Sequence, residues 1–394
     1  MLGWELPPHN SGGLGVACLQ LSKALASSGA DISFILPYSP TAGYDFMKVL
    51  GASDSTAPLP YATGVYESYK YLTAGGSFDL DLHDQQELYA RRVGLLAESM
   101  EFDIVHAHDW LTFRAALLLR EKRGCPIALH VHSIERDRAG GCEGNPLVRE
   151  VEATSMLLAD HVFAVSERTK QMIVDDYGIP ADKIEVAHNS IDPDIFEFSD
   201  GDNSYHYLKY LKDKGWRVVA NAGRLTVQKG LPHLLAAAKQ VVAYNPQTVF
   251  LIVGDGEQKE ELIRLAADNG IARNVIFTGF QRGQRLRDAF SIADLFVMPS
   301  ISEPFGLTPF EAAGYGTPSL ISYQSGVSEI LRSCLKVDFW DIDLMASKMI
   351  GALRSQALLD ELSRNARIEF EKLSWQQTAE KINNRYQQLA GAYA

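Results

Sequence analysis

Apolar positions along this chain follow two alternating rhythms. Leu14, Cys18, Leu21 and Leu25 recur at i, i+4, i+7 and i+11, one face of a helix, and Gly29 stops it. A short apolar run at 32–36 follows and closes at Pro37. Upstream, residues 1–4 read as the last part of a strand that looks clipped at its N-terminal end, leading into a Pro-Pro-His-Asn-Ser-Gly-Gly loop at 7–13. Strand, glycine loop, helix, strand is the unit of a parallel sheet. The rhythm lapses over 38–86, rich in Gly, Ser, Tyr and Asp, which reads as an insertion with edge structure. It then resumes with helix 87–101, strand 104–107, a helix carrying Leu111, Ala115 and Leu118, and strand 127–131. Helix 146–159, strand 161–165, a helix capped by Ser166 and ended near Gly178, and strand 184–187 complete the first half.

Residues 189–216 are dense in Asn, Asp, Pro, Gly and Ser and read as a crossing loop. A second series then runs through strand 217–222, helix 230–244, strand 248–253, helix 258–269, strand 275–278, helix 282–291, strand 295–299, helix 309–315 and strand 319–322. Helices at 341–353, 356–370 and 374–391 end the chain. The pattern predicts an α/β protein of two doubly wound, Rossmann-like domains. Their boundaries are 1–195 and 217–370, with a linker at 196–216 and a terminal helical segment at 371–394. Ligands of open α/β sheets bind outside the carboxyl ends of the strands, so the strand-end loops of both halves are expected to face a shared cleft.

Composition narrows the class. At 394 residues the chain exceeds one ordinary core, and 46% hydrophobic against 22% charged residues is a globular balance. Its 37 basic and 49 acidic residues give a net charge of −12, which argues against nucleic acid as a partner and gives no general attraction to anionic membranes. An acidic protein that binds an anionic small molecule must gather its cations at one site. Cys18, Cys125, Cys142 and Cys334 form no C-x-x-C pair, so reduced, mostly buried thiols are expected rather than a disulfide framework or structural zinc site. No apolar run approaches a membrane span and no secretory signal is visible, so a cytoplasmic location is the expectation.

Four groups of residues are candidates for chemistry. Gly12-Gly13-Leu14-Gly15 opens the first helix, where missing side chains let backbone amides approach a phosphate; a tight turn would need the same glycines. Arg224 and Lys229 sit five residues apart after the strand that opens the second half, where an arginine fork and a lysine point charge can clamp a diphosphate. Glu303-Pro-Phe-Gly-Leu-Thr-Pro-Phe-Glu311 places two carboxylates around the amides of Gly306, Leu307 and Thr308: one could touch a sugar, the other a ribose diol. Finally, His106/His108 with Asp109, and His130/His132, put two H-x-H pairs at strand ends with each pair on one face. This last arrangement keeps a metal-dependent hydrolase open as a rival reading. Each pair ends an apolar strand, so His106 and His130 read as core histidines, while His108 and His132 retain a claim to the cleft. Asp pairs such as Asp341/Asp343 read as turns or helix caps rather than metal sites.

Taken together, these strings resemble the retaining two-domain (GT-B) glycosyltransferases of the fourth family, and among them the shorter glycogen-synthase-like enzymes. The resemblance is carried by Gly-Trp-Glu-Leu-Pro-Pro-His-Asn-Ser-Gly-Gly-Leu-Gly at 3–15, His-Ala-His-Asp-Trp at 106–110, His-Val-His-Ser-Ile-Glu-Arg-Asp-Arg at 130–138, the Arg224/Lys229 loop, Val-Gly-Asp-Gly-Glu at 253–257 and the Glu303–Glu311 string. It spans nearly the whole chain. It implies that Arg224 and Lys229 hold the diphosphate of a nucleotide-sugar donor, that Glu311 binds the ribose hydroxyls, and that Glu303 contacts the transferred sugar. Gly13 and the amides of Leu307 and Thr308 would meet phosphate or sugar, Gly254 and Gly306 would line the donor, and the Phe280 backbone would border the base. His132 would stand beside the reacting centre, with His108 and Asp109 toward the acceptor. The resemblance also implies a carbohydrate acceptor, UDP- or ADP-glucose as co-substrate, no cofactor and no metal. The longer glycogen and starch synthases usually carry a Lys two residues before the first Gly-Gly; here that place is Asn10, which leaves the donor nucleotide open.

Overall fold

The computed structural model describes residues 1–9, 13–40, 43–53, 78–192 and 203–393, with the backbone alone for 78–83. Asn10 and Gly12 of the first loop, and 54–77 of the stretch read as an insertion, lie outside the described residues. The chain divides into two units. The first comprises Met1–Arg138, Cys142–Ser190 and Ser374–Ala394; the second, Ala139–Gly141 and Ile191–Leu373.

The first unit is built on parallel strands β1 (Ser33–Leu36), β2 (Lys48–Gly51), β3 (Val105–His108), β4 (Ile127–Val131), β5 (His161–Ala164) and β6 (Ile184–Val186). The opening residues run between β1 and β3. Leu2 bridges Ile35 on one side and Ala107 on the other, its N–H donating to His106 O at 2.8 Å and its carbonyl accepting from His108 N at 3.0 Å. The order is therefore β2, β1, the first segment, β3, β4, β5, β6. Every residue of β3, β4 and β5 is buried, as expected for parallel strands covered on both faces. Helices α1 (Gly13–Ser27), α2 (Phe78–Leu96), α3 (Trp110–Arg123), α4 (Glu135–Arg138), α5 (Pro146–Leu158) and α6 (Glu167–Tyr177) belong to this unit. Ser166 caps α6 by accepting from Thr169 N at 3.0 Å, and Gly178 ends it in the left-handed region.

The second unit holds β7 (Arg217–Ala222), β8 (Thr248–Val253), β9 (Val275–Gly279), β10 (Leu295–Met298), β11 (Ser319–Ser322) and β12 (Leu335–Val337), all parallel, in the order β12, β11, β10, β7, β8, β9. The chain winds outward from β7 through β8 and β9, then returns to β7's other side as β10. The winding direction reverses between β7 and β10, the place where open α/β sheets bind their ligands. Helices α7 (His206–Asp213), α8 (Leu231–Tyr244), α9 (Lys259–Asp268), α10 (Gly283–Ile292), α11 (Thr308–Gly314), α12 (Ile342–Arg354) and α13 (Gln356–Phe370) accompany this sheet. Asp341 is a cap, accepting from Leu344 N at 3.0 Å.

Two regions depart from the sequence reading. The stretch read as a linker contains α7, whose Leu208 and Leu211 are buried in the second unit while Lys212 pairs with Asp294 at 3.2 Å. Its polar neighbours masked a two-residue apolar face. Strands β2 and β12, of four and three residues, also fall where the sequence reading assigned no strand. The last helix, α14 (Trp375–Tyr393), packs in the first unit. Trp375, Ala379 and Ile382 are buried there, Thr378 Oγ1 donates to His188 O at 2.9 Å, and Arg385 pairs with Glu185 at 3.1 Å. Burying a side chain the size of Ile contributes roughly 1.5–3 kcal/mol, so this face anchors the segment.

Candidate active site

In the second unit the loops leaving β7 and β10 are laced together. The N–H of Ile301 donates to Gln228 O at 2.9 Å, and the buried Gln228 side chain returns a bond from Nε2 to Ser302 O at 2.9 Å. Gly230 makes the approach possible: at φ +65°, a Cβ there would lie 2.1 Å from the carbonyl oxygen of Pro299. The lacing carries Lys229, at the end of a short turn at Val227–Lys229, against the β10 loop. Its Nζ lies 2.5 Å from Oε2 of Glu303, which also accepts from Ser300 Oγ at 3.1 Å. Only one of the three ammonium protons is used in this pair, and Oε1 of Glu303 has no partner among the described residues.

Arg224 lies on the same β7 loop, between Gly223, whose N–H donates to Val253 O, and Leu225, whose N–H donates to Asp255 O. The β7 loop is thereby tied to the β8 loop as well. Gly254, expected to line the donor, sits at the contact of the β7 and β8 loops. Its N–H already donates to Gly279 O at 3.0 Å, and a Cβ there would fall 1.8 Å from Gly223 O. It serves by allowing the two loops to touch, not by offering an open amide.

The N–H groups of Gly306, Leu307 and Thr308 meet no acceptor among the described residues. Gly306 adopts φ +94°, with Glu303 Cγ and Met298 Cε each 3.0 Å from where a Cβ would stand. Glu311 follows in the first turn of α11, half-buried and without a hydrogen-bond partner among the described residues. Burial alone pushes its carboxyl up to about 7. A carboxylate in that state is stabilised by any ligand that supplies hydroxyl donors. The Phe280 ring is 55% exposed beside the β9 end, with the Arg282 guanidinium 4.9 Å from its centroid.

The first unit gathers the four strand histidines into one buried stack. His130 and His132 rings lie 4.4 Å apart, and His106 and His108 4.6 Å apart. Across the strands, His106 Nε2 faces His130 Nδ1 at 3.2 Å, and His108 Nδ1 faces His132 Nε2 at 3.0 Å. Tyr386 of α14 bonds His106 Nδ1 through its hydroxyl. Burial holds all four imidazoles below their ordinary range, His132 to about 3, so they are neutral near pH 7. Asp109, at φ +58°, accepts from the N–H groups of His132 at 2.6 Å and Ser133 at 3.2 Å. Burial pushes its carboxyl up to about 7, against the pull of Arg138 and those two amides.

His108 and Asp109, expected toward the acceptor, lie inside the first unit. Both are fully buried, one engaged with the His132 ring and the other with its backbone. Both are tied to His132. Among the described residues, two groups are spaced closely enough to hold an ion: Cys18, His108 and His132, and His106, His108 and His130. Each group contains a pair of rings already bonded to each other, and every member is buried. Gly13 is exposed at the start of α1, and Gly15 N donates to the buried Glu5 Oε1 at 3.0 Å. Sequence reasoning missed Gln228 and Ser300. Gln228 lay in the Arg224–Lys229 string, but nothing in that string marks a glutamine as a strap.

Comparison with known proteins agrees across both units. Residues 11–195 match the family described as Glycosyltransferase Family 4, and residues 208–369 match Glycosyl transferases group 1. An uncharacterized glycosyltransferase of Methanocaldococcus jannaschii is 27% identical, covering 98% of this chain and 97% of that protein. A glycogen synthase of Mycobacterium tuberculosis is 28% identical over 84% of this chain and 78% of its own length. A D-inositol 3-phosphate glycosyltransferase of Rhodococcus jostii is 27% identical over 98% and 86%. Among solved structures, sucrose-phosphate synthase from Thermosynechococcus elongatus superposes with a TM-score of 0.78 at 20% identity, covering 97% and 94% of the two chains. Anabaena HepE in complex with UDP and glucose superposes with a TM-score of 0.74 at 18% identity, covering 98% of each. Among the described residues, no helix is long and apolar enough to cross a membrane.

Proposed function

We propose that this chain, which belongs to the family-four glycosyltransferases of GT-B fold, moves a hexose, glucose in the first instance, from a nucleoside diphosphate sugar to a sugar or α-glucan acceptor with retention of anomeric configuration. The observation that carries this reading is the Lys229–Glu303 contact at 2.5 Å, placed where the winding of the second sheet reverses. A cation with two protons free and a carboxylate with one oxygen free form a bipolar seat. The ammonium suits the departing diphosphate, and the carboxylate suits the sugar hydroxyls and the positive charge that grows at the anomeric carbon.

In this reading the anomeric C–O bond breaks as Lys229 and Arg224 take up the charge growing on the diphosphate, aided by the open amides of Leu307 and Thr308. The acceptor hydroxyl attacks the same face, and its proton passes to the departing phosphate oxygen. Among the described residues Glu303 bonds Lys229 and Ser300 rather than a second carboxylate, which favours direct same-face transfer over the carboxylate pair of a retaining glycosidase. Glu311 takes the ribose hydroxyls, and the exposed edge at Phe280 borders the base. His132, neutral and with Nδ1 unpartnered among the described residues, serves the reacting centre. In this reading Arg224 and Lys229 do the neutralising that a divalent ion does in metal-dependent transferases, and turnover needs no metal.

Relatives at 28% and 27% identity are named a glycogen synthase and a D-inositol 3-phosphate glycosyltransferase, which keeps a phosphorylated or lipid-linked sugar as a second acceptor class. Thermal shift with UDP-, ADP- and GDP-sugars tests the donor, since a ligand of the folded state raises its melting temperature. Anomeric NMR of the product tests the stereochemistry. No shift with any nucleotide sugar, or an inverted product, overturns the reading.

A further inference from the structure

The turn that carries His132 is held from both sides by buried charge. Asp109 accepts the N–H groups of His132 and Ser133. From the other side, Arg138 donates through one terminal nitrogen to Ser133 O at 3.0 Å and Ser133 Oγ at 2.9 Å. Arg138 does not float. Its Nε donates to Glu135 Oε2 at 3.1 Å, its second terminal nitrogen pairs with Glu152 Oε1, and its guanidinium lies 5.9 Å from the Trp110 ring centroid. Glu152 is fixed in turn: its Oε2 accepts from the Tyr177 hydroxyl and from Glu135 N at 3.1 Å. All of Arg138, Glu135, Glu152 and Asp109 are buried.

A fold alone does not call for this arrangement. Buried ion clusters are expensive to desolvate and are often no more stabilising than apolar packing. What this one does is hold Ser133, the residue after His132, by its carbonyl and its hydroxyl, while among the described residues the His132 ring is hydrogen-bonded through Nε2 to His108. The Nδ1 atom, buried and unpartnered among the described residues, is the end whose direction the backbone must set.

We infer that Arg138, anchored by Glu152 and Tyr177, is the positioning residue for His132: it holds Ser133 by its carbonyl and hydroxyl, opposite the Asp109 grip on the His132 and Ser133 N–H groups, so that the imidazole presents one fixed nitrogen. The inference rests on the role proposed above for His132. Lys in place of Arg keeps the charge but loses the fork, so it can satisfy a carboxylate and not Ser133 as well. Tyr177→Phe removes one hydroxyl from the anchor and leaves every charge in place.

The test compares Arg138→Lys and Tyr177→Phe with the unaltered protein in two measurements. The first is turnover with UDP-glucose and ADP-glucose. Arg138→Lys is expected to lower kcat at least tenfold with the donor KM within twofold, and Tyr177→Phe to lower it two- to fivefold. The second is amide hydrogen exchange, which needs no activity: exchange at His132 and Ser133 is expected to quicken at least tenfold relative to Leu129 of β4. Exchange that rises equally at all three amides, or unchanged kcat in both variants, overturns the inference. If Arg138→Lys does not fold, Tyr177→Phe carries both readouts. An unaltered protein that turns over no nucleotide sugar, yet whose variants loosen His132 and Ser133 selectively, leaves the clamp standing and refutes the transferase reading.

Discussion

Lys229 and Glu303 lie 74 residues apart in the chain and 2.5 Å apart at Nζ and Oε2. The contact exists because β7 and β10 are neighbours at the reversal of the sheet and because Gly230 lets their loops touch. Replacing Lys229 by Ala removes the ammonium and leaves a buried carboxylate without its ion partner. Loss of one preorganised charge-stabilising donor costs about 2.7–4 kcal/mol of barrier, so kcat is expected to fall on the order of 10²–10³-fold. Circular dichroism of the variant should remain that of a folded protein. Near-normal turnover would remove the diphosphate clamp from the mechanism.

Gly230→Ala tests the loop contact without touching a charged group. The new methyl would meet Pro299 O at 2.1 Å, a backbone atom that cannot rotate away, and φ +65° is strained for alanine. A cost of roughly 1–3 kcal/mol follows. For a unit of this size that corresponds to about 3–10 °C in melting temperature. Activity should fall as well, because Lys229 is the preceding residue. Unchanged thermal stability would mean the two loops are not held at this distance.

Glu311 gives a pH signature. Its folded carboxyl titrates near 7, above the ordinary value of 4.5. Between those values the folded state keeps a proton that the unfolded chain has released, so raising the pH through this window lowers stability, and the loss is complete above about 7. Glu311→Gln removes the effect. The difference in melting temperature, variant minus unaltered protein, should grow from pH 5 to pH 8. Ribose hydroxyls donate to the ionised form, so donor affinity should rise through the same window and the Gln variant should lack that rise. A pH-independent difference would refute the shifted carboxyl.

Metal removal separates the transferase from the hydrolase reading of the histidine pairs. Exhaustive EDTA treatment followed by gel filtration is expected to leave transfer within about twofold, since Arg224 and Lys229 supply the positive charge. Loss of activity restored by a divalent ion would shift the charge-neutralising role to the ion, with Cys18, His108 and His132 the residues to mutate first.

Much of this protein is fixed locally by its residue order. The apolar runs that became β4, β7, β8 and β11 and the caps at Ser166 and Asp341 depend on side chains a few positions apart, and the chain alone declares them. The strings holding Arg224, Lys229, Glu303 and Glu311 are likewise read from the chain alone, as residue types suited to anions and hydroxyls. Tertiary structure decided which of these groups meet. Only packing shows that His108 and Asp109 turn inward to hold His132, that Gly254 yields its amide to Gly279, and that Gln228 straps two loops together. Burial and the approach of distant backbones are long-range quantities, set by the order of strands in a sheet, and no window of sequence contains them.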